Sequence, residues 1–238
     1  MTAAAHASPD FIELYPQALS PQICADAVSR LQASPALEPG RIAGGVFPEL
    51  KHSRDLRISG HAQWQDVESA ILQALMAGLL RYLRRYPQAL VAPFMLQTQV
   101  GETSKRLDAQ DLQSMDDDAL TSLVTTCLRP SPINLQWYRD GEGGYPYWHC
   151  ELLPRDAQAE TLHRHLLWTL YLNDGFAEGE TEFFFQQRKI VPQTGALLIA
   201  PTAFTHTHRG NRPRCADKVI ATGWVLFQRA EALFGAGG

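Results

Sequence analysis

The chain has 238 residues, 45% hydrophobic and 19% charged, with a formal net charge of −4. That is the balance of a folded domain with a sizeable core, and one domain with a helical annex fits the length better than two. The charge excludes the basic footprint of a nucleic-acid binder or a polybasic membrane patch.

The opening MTAAAHASPD has neither a basic start nor an apolar stretch, so it does not read as a signal peptide. No segment reaches the roughly 18 continuous apolar residues of a membrane span. Cys24, Cys127, Cys150 and Cys215 are widely spaced, with no CxxC, and read as free thiols in a reducing cytoplasm. Ser20-Pro21 predicts a capped helix start, and the helix runs through ICADAVSRLQ to Ser34-Pro35. A second helix is predicted over DVESAILQALMAGLLRYLRRY. Val67, Ile71, Leu75 and Leu79 form its apolar stripe and Asp66 is its expected cap. GGVFPELKHSRDLRIS between them reads as strand and loop. In KHSRDLR, a solvated strand face is the simplest account of Lys51, Arg54 and Arg57, with contact to an anionic substrate the alternative.

Residues 101–120 (GETSKRLDAQDLQSMDDDAL) are the least ordered-looking stretch, and Asp116 to Asp118 read as a solvated loop or helix start rather than a metal site. The insert at about 101–130 is expected to cover or flank a pocket. After Pro130 the pattern changes to short β-rich runs: INLQWY, YPYWHCEL, HLLWTLYL, TEFFFQ, RKIVP, GALLIAP, AFTHTH and KVIATGWVLF. Turn-forming stretches such as RDGEGG, NDGFAEGE, PQTG and RGNRPR separate them. Many short strands with turn signals between them predict an all-β sandwich or barrel in this half.

HCE at 149–151 is the first candidate for chemistry. On a strand, alternation puts His149 and Glu151 on one face and turns Cys150 away. Two ligands rarely hold a metal, and HTHRG at 206–210 offers a third in His206 or His208. Ten residues beyond His208, Lys218 shares a face with Ile220, Thr222 and Trp224, and a lysine entering a barrel needs an anionic partner. Two histidines and one carboxylate form the facial arrangement of non-haem Fe(II) oxygenases, which leaves coordination positions open. A zinc deaminase also carries HxE, but no downstream PCxxC accompanies it here.

On these residues the sequence resembles the Fe(II)/2-oxoglutarate-dependent dioxygenases, in their prolyl-4-hydroxylase-like branch. WYRDGEGGYPYWHCE, RHLLWTLYLNDGFAEGETEF, VPQTGALLIAP, and THTHRGNRP followed by KVIATGW carry the resemblance, over about residues 133–227. It implies a mainly β (α+β) fold, a double-stranded β-helix or jelly roll with N-terminal supporting helices. One domain would span 1–238, with helical support and insert at about 10–130 and the core β-helix at about 131–228. It implies Fe(II) on His149, Glu151 and His208, with His206 a neighbour rather than a ligand. Lys218 would pair with the distal carboxylate of 2-oxoglutarate, and Tyr138 would place a hydroxyl near it; Thr169 and Tyr171 suit packing better. Arg164 resembles an arginine of the family's corresponding strand, although a surface pairing accounts for it equally. The reaction implied is hydroxylation of an unactivated C–H bond in an amino-acid or peptidyl (prolyl included) substrate, using O2 and releasing succinate and CO2, with ascorbate a candidate auxiliary reductant. One departure stands out: the usual motif is HxD, and glutamate adds a methylene that backbone or rotamer must absorb. A cupin-type metalloenzyme working without 2-oxoglutarate and a non-catalytic jelly-roll binding module are the alternatives. His163 and His165 read as edge or rim residues, Cys150 as core packing, and Trp148, Trp168 and Trp224 mostly as core.

Overall fold

The computed structural model describes residues 9–42, 44–155 and 157–235. Two antiparallel sheets face one another. The larger runs, in spatial order, Glu13–Tyr15, Leu197–Pro201, Arg164–Tyr171, Lys218–Phe227, Asn134–Tyr138, Arg54–Arg57 and Glu38–Pro39, with Leu128–Pro130 also paired to Lys218–Phe227. The smaller runs Arg188–Ile190, Thr181–Phe183, His208–Gly210 and Tyr145–His149. This is the expected jelly roll. Strands distant in sequence are neighbours in space, which is how residues near 149, 208 and 218 come to share one mouth.

The larger sheet is buried on both faces, which is why its strands read as continuous apolar runs rather than alternating ones. In Arg164–Tyr171, Leu166, Trp168 and Leu170 point into a core shared with the helices, while Leu167 and Tyr171 point between the sheets. Leu197 and Ile199 alternate with Leu198 and Ala200 in the same way, and Val219 and Ala221 with Ile220. The inter-sheet core of Tyr138, Tyr171, Phe183 and Ile220 forms the apolar backing of the site.

The helices close the other face of the larger sheet. Pro21–Gln32 begins as expected, with Ser20 Oγ accepting from Ile23 N at 3.3 Å. Gln65–Arg85 buries the stripe of Val67, Ile71, Leu75 and Leu79. It approaches the sheet so closely at Gly78 that a Cβ there would lie 2.5 Å from Leu197 Cδ2. Its cap is Trp64 rather than Asp66, and Asp66 instead pairs with Arg30 at 2.9 Å, joining the two helices.

The least ordered-looking stretch is regular. Gln97–Val100 pairs with Thr103–Arg106 as a hairpin, followed by helices Ala109–Ser114 and Asp117–Cys127. Asp108 caps the first in a capping box and Asp116 caps the second, so the acidic run is a helix start. Neither helix flanks the pocket as expected. Leu112, Leu120 and Val124 join the helical core, and no residue of 101–130 lines the large cavity. AFTHTH, read as β, contains a 3-10 turn at Phe204–His206 before the strand resumes at His208. Among the described residues, no helix is long and apolar enough to cross a membrane.

Candidate metal and co-substrate site

Strand register brings the histidines together. His149 and His208 are direct partners across the Tyr145–His149 and His208–Gly210 pair, with ring centroids 4.4 Å apart. The strand ends at His149, so strict alternation does not carry Glu151 to the same face. The chain bends instead, held by Glu151 N donating to Thr202 O at 3.1 Å. The carboxylate still converges, with Oε1 3.8 Å from His149 Nε2 and 3.6 Å from His208 Nε2. Cys150, expected to turn away into the core, is half-buried and lines the cavity.

Both imidazoles present the same nitrogen. His149 Nδ1 lies 2.8 Å from Tyr147 O and His208 Nδ1 lies 3.0 Å from His206 O. A carbonyl can only accept, so each Nδ1 carries the proton and each Nε2 offers its lone pair toward Glu151 Oε1. Burial, and then the neighbouring His208, hold His149 well below the usual imidazole range, which keeps it in the neutral form a metal requires. The donor atoms of the three residues all lie within 4.8 Å of one another. Two imidazole nitrogens and one carboxylate oxygen at this spacing are the donor set that suits Fe(II). His206 is turned elsewhere: Nε2 lies 2.9 Å from Asp10 O and Nδ1 lies 3.0 Å from Thr205 Oγ1.

Of the two accounts open for Arg164, the structure favours a place in the site. Far from making a surface pairing, it donates from Nη1 to Glu151 Oε2 at 3.0 Å and to Glu151 O at 3.1 Å. Its guanidinium carbon sits 3.5 Å from the centroid of the Trp224 ring. One carboxylate oxygen is thereby occupied and Oε1 alone faces the histidines. The guanidinium leaves the longer glutamate one oxygen free to face the histidines.

Lys218 lies opposite Tyr138 in the strand pairing and is 3% exposed. Its Nζ donates to Gly179 O at 2.6 Å, and no carboxylate comes within ion-pair distance among the described residues. Gly179 sits at φ 74°, a left-handed conformation that glycine adopts without penalty. Desolvation, only partly offset by Glu180, lowers the Lys218 pKa to about 8. Tyr138 is buried, its hydroxyl donating to Gln136 Oε1 at 2.7 Å. Tyr171, by contrast, spends its hydroxyl on Thr181 Oγ1 at 2.7 Å and does not line the cavity, whereas Thr169 does.

These groups line one cavity of about 680 Å³. It contains the three converging donors at one place and Lys218, Tyr138, Ile220, Thr222 and Trp224 along its wall, as the shared face predicted. Lys51 also belongs to it. Read as a solvated face residue, it is 5% exposed and pairs with Asp55 at 2.7 Å. The i,i+4 spacing of Lys51 and Asp55 was the available signal. Arg57 lines the cavity too, while Arg54 points away and donates to Leu37 O. His165 is structural, with Nε2 2.7 Å from Ala89 O. Trp168 is core and Trp224 walls the cavity. Trp148 lies outside, half-buried, with the Arg209 guanidinium carbon 4.3 Å from its ring centroid.

Residues 133–226 match the sequence profile of the 2OG-Fe(II) oxygenase superfamily. The matched stretch holds His149, Glu151, His208 and Lys218. No curated protein matches the chain. Among solved structures, the fold is shared with a Pseudomonas putida prolyl-4-hydroxylase at TM-score 0.57 and 16% identity, covering 93% of this chain and 95% of that one. A prolyl hydroxylase from Trichoplax adhaerens, solved with a hypoxia inducible factor oxygen degradation domain peptide fragment, gives TM-score 0.63 at 12% identity, with 96% and 88% covered. The viral collagen prolyl hydroxylase of Paramecium Bursaria Chlorella virus-1, solved as its 2OG complex, gives 0.53 at 15%, with 90% and 95% covered.

Proposed function

We propose that the chain is an Fe(II)- and 2-oxoglutarate-dependent hydroxylase acting on an unactivated C–H bond of an amino-acid or peptidyl substrate. A prolyl residue is favoured because the similar solved structures are prolyl hydroxylases. The observation that carries this reading is one cavity holding both a His-Glu-His donor set and a buried lysine with no carboxylate partner among the described residues. In this reading His149 Nε2, Glu151 Oε1 and His208 Nε2 would hold Fe(II). Lys218 receives the distal carboxylate of 2-oxoglutarate, with Tyr138 beside it.

When bound, Fe(II) with 2-oxoglutarate supplies the activation of O2 that puts one oxygen atom into the substrate and releases succinate and CO2. The chain supplies position and dryness. Tyr147 O and His206 O fix the imidazoles, Arg164 confines the carboxylate to one oxygen, and Ile220 and Trp224 exclude water from the wall. The helical part, about 10–130, braces the oxygenase core as one domain with it. Four unpaired cysteines suit a cytoplasmic location. The test is succinate formation from 2-oxoglutarate under air with proline-containing peptides. It is expected to require Fe(II) and to vanish in His149→Ala and His208→Ala. Succinate formed without added iron, or by both variants, would refute the assignment.

A further inference from the structure

The cavity carries more positive charge than iron and 2-oxoglutarate can use. Six cationic side chains line it among the described residues: Arg41, Lys51, Arg57, Arg155, Arg164 and Lys218. Three carboxylates oppose them, from Glu38, Asp55 and Glu151. Loading with a divalent cation and a dianionic co-substrate adds no net charge, so the surplus of three positive groups remains. The whole chain is formally −4, so this excess is concentrated locally against the overall balance.

The surplus sits in particular places. Arg164 is committed to Glu151, and Lys218 is buried on the neighbouring strand of the same sheet, opposite Tyr138. Arg57, exposed at the end of its strand, has no acceptor among the described residues. Lys51 has three donors and one protein acceptor, Asp55 Oδ2 at 2.7 Å, whose other oxygen accepts from Ser53 Oγ at 2.7 Å. Its Nζ lies 5.9 Å from the centroid of Tyr145, whose ring stacks on His149 at 3.7 Å. Lys51 is therefore one aromatic ring away from the donor triad. At the mouth, Arg41 Nη1 bonds Gly44 O at 3.2 Å, and Arg155 Nη2 lies 3.4 Å from where a Gly44 Cβ would stand. Arginines from three separate segments thus approach one opening.

We propose that this wall, with Arg57 and Lys51 at its centre and Arg41 and Arg155 at its lip, is a substrate subsite that receives a carboxylate. The inference rests on the oxygenase reading above and narrows it to anionic substrates. A planar guanidinium with free donors matches a carboxylate in a two-bond fork, and the buried Lys51 ammonium lining the same cavity offers further donors. The carboxylate has two sources, the α-carboxylate of a free amino acid or an acidic side chain next to the target residue in a peptide.

Calorimetric titration of the anaerobic Fe(II)- and 2-oxoglutarate-loaded protein separates them. The probes are two matched pairs: L-proline against L-prolinamide, and acetyl-Glu-Pro-Gly-amide against acetyl-Gln-Pro-Gly-amide. In at least one pair the carboxylate member is expected to bind ten-fold or more tightly than its amide twin, and that pair names the source. Arg57→Gln is expected to reduce the preference to three-fold or less. Arg54→Gln, whose side chain points away from the cavity, is expected to keep it. Equal binding within both pairs, no binding by either carboxylate member, or a preference that survives Arg57→Gln would overturn the proposal. Failure of 2-oxoglutarate itself to bind the iron-loaded protein would instead sink the oxygenase reading beneath it.

Discussion

Replacing Lys218 with methionine should separate what the lysine does for the fold from what it does for the site. The side chain is 3% exposed, and burial lowers its pKa from 10.5 to about 8. At about 1.4 kcal/mol per unit, keeping it charged in the co-substrate-free protein at neutral pH costs roughly 3 kcal/mol. Methionine removes that cost but leaves Gly179 O without the 2.6 Å donor, a loss of about 1–3 kcal/mol. The metal-free variant should therefore be as stable as the parent at pH 7, or up to about 2 kcal/mol more stable.

The pH dependence gives the sharper reading. Because the folded pKa is depressed, the unfolded chain binds more protons between about pH 8 and 10.5, so parent stability rises with pH through that window. From pH 7 to 9 the parent should gain about 1 kcal/mol on Lys218→Met. Urea unfolding of both metal-free proteins at the two pH values measures it, and titration with 2-oxoglutarate should show binding lost in the variant. Parallel pH curves, or a variant that still binds 2-oxoglutarate normally, would refute the reasoning.

Arg164→Met should free Glu151 Oε2, loosening the carboxylate and weakening Fe(II) retention about ten-fold, a loss of the size typical when a ligand's supporting partner is removed; equilibrium dialysis against Fe(II) checks it. Glu151→Asp, although it restores the commoner residue, should weaken iron binding too, because the shorter chain cannot reach both Arg164 and the position of Oε1; tighter binding would contradict this. Co-substrate affinity in the parent should fall as pH rises through about 8, where Lys218 loses its charge, and calorimetry at pH 7 and 9 would show it. Ile71→Ala, a cavity in the buried face of the long helix, should cost about 3 kcal/mol in urea unfolding without altering iron binding.

The parts legible from sequence were those where local pattern and long-range pairing agree. Lys218, Ile220, Thr222 and Trp224 share a face because the Lys218–Phe227 strand is regular, and His208 meets His149 because two strands pair in register. Glu151 reached the site by a bend at the strand end, which alternation does not describe. The role of Arg164 depends on a partner 13 residues away across a loop, and nothing in the local pattern of RHLLWTLY marks its side chain as inward. Lys51 looked solvated because KHSRDLR is polar throughout; its burial comes from the Glu38–Arg41 segment, where Gly40 passes so near that a Cβ would lie 3.1 Å from Lys51 Cε. Residues 101–120 looked loose because polarity masked two capped helices whose leucines and Val124 pack into the helical core.

The most direct test of the account is the visible charge-transfer absorption of 2-oxoglutarate chelated to Fe(II), recorded without oxygen on the parent, Glu151→Ala and Lys218→Ala. A band is expected in the parent that is lost in Glu151→Ala and, at co-substrate concentrations that saturate the parent, lost in Lys218→Ala. Iron binding by the parent with no band would contradict it.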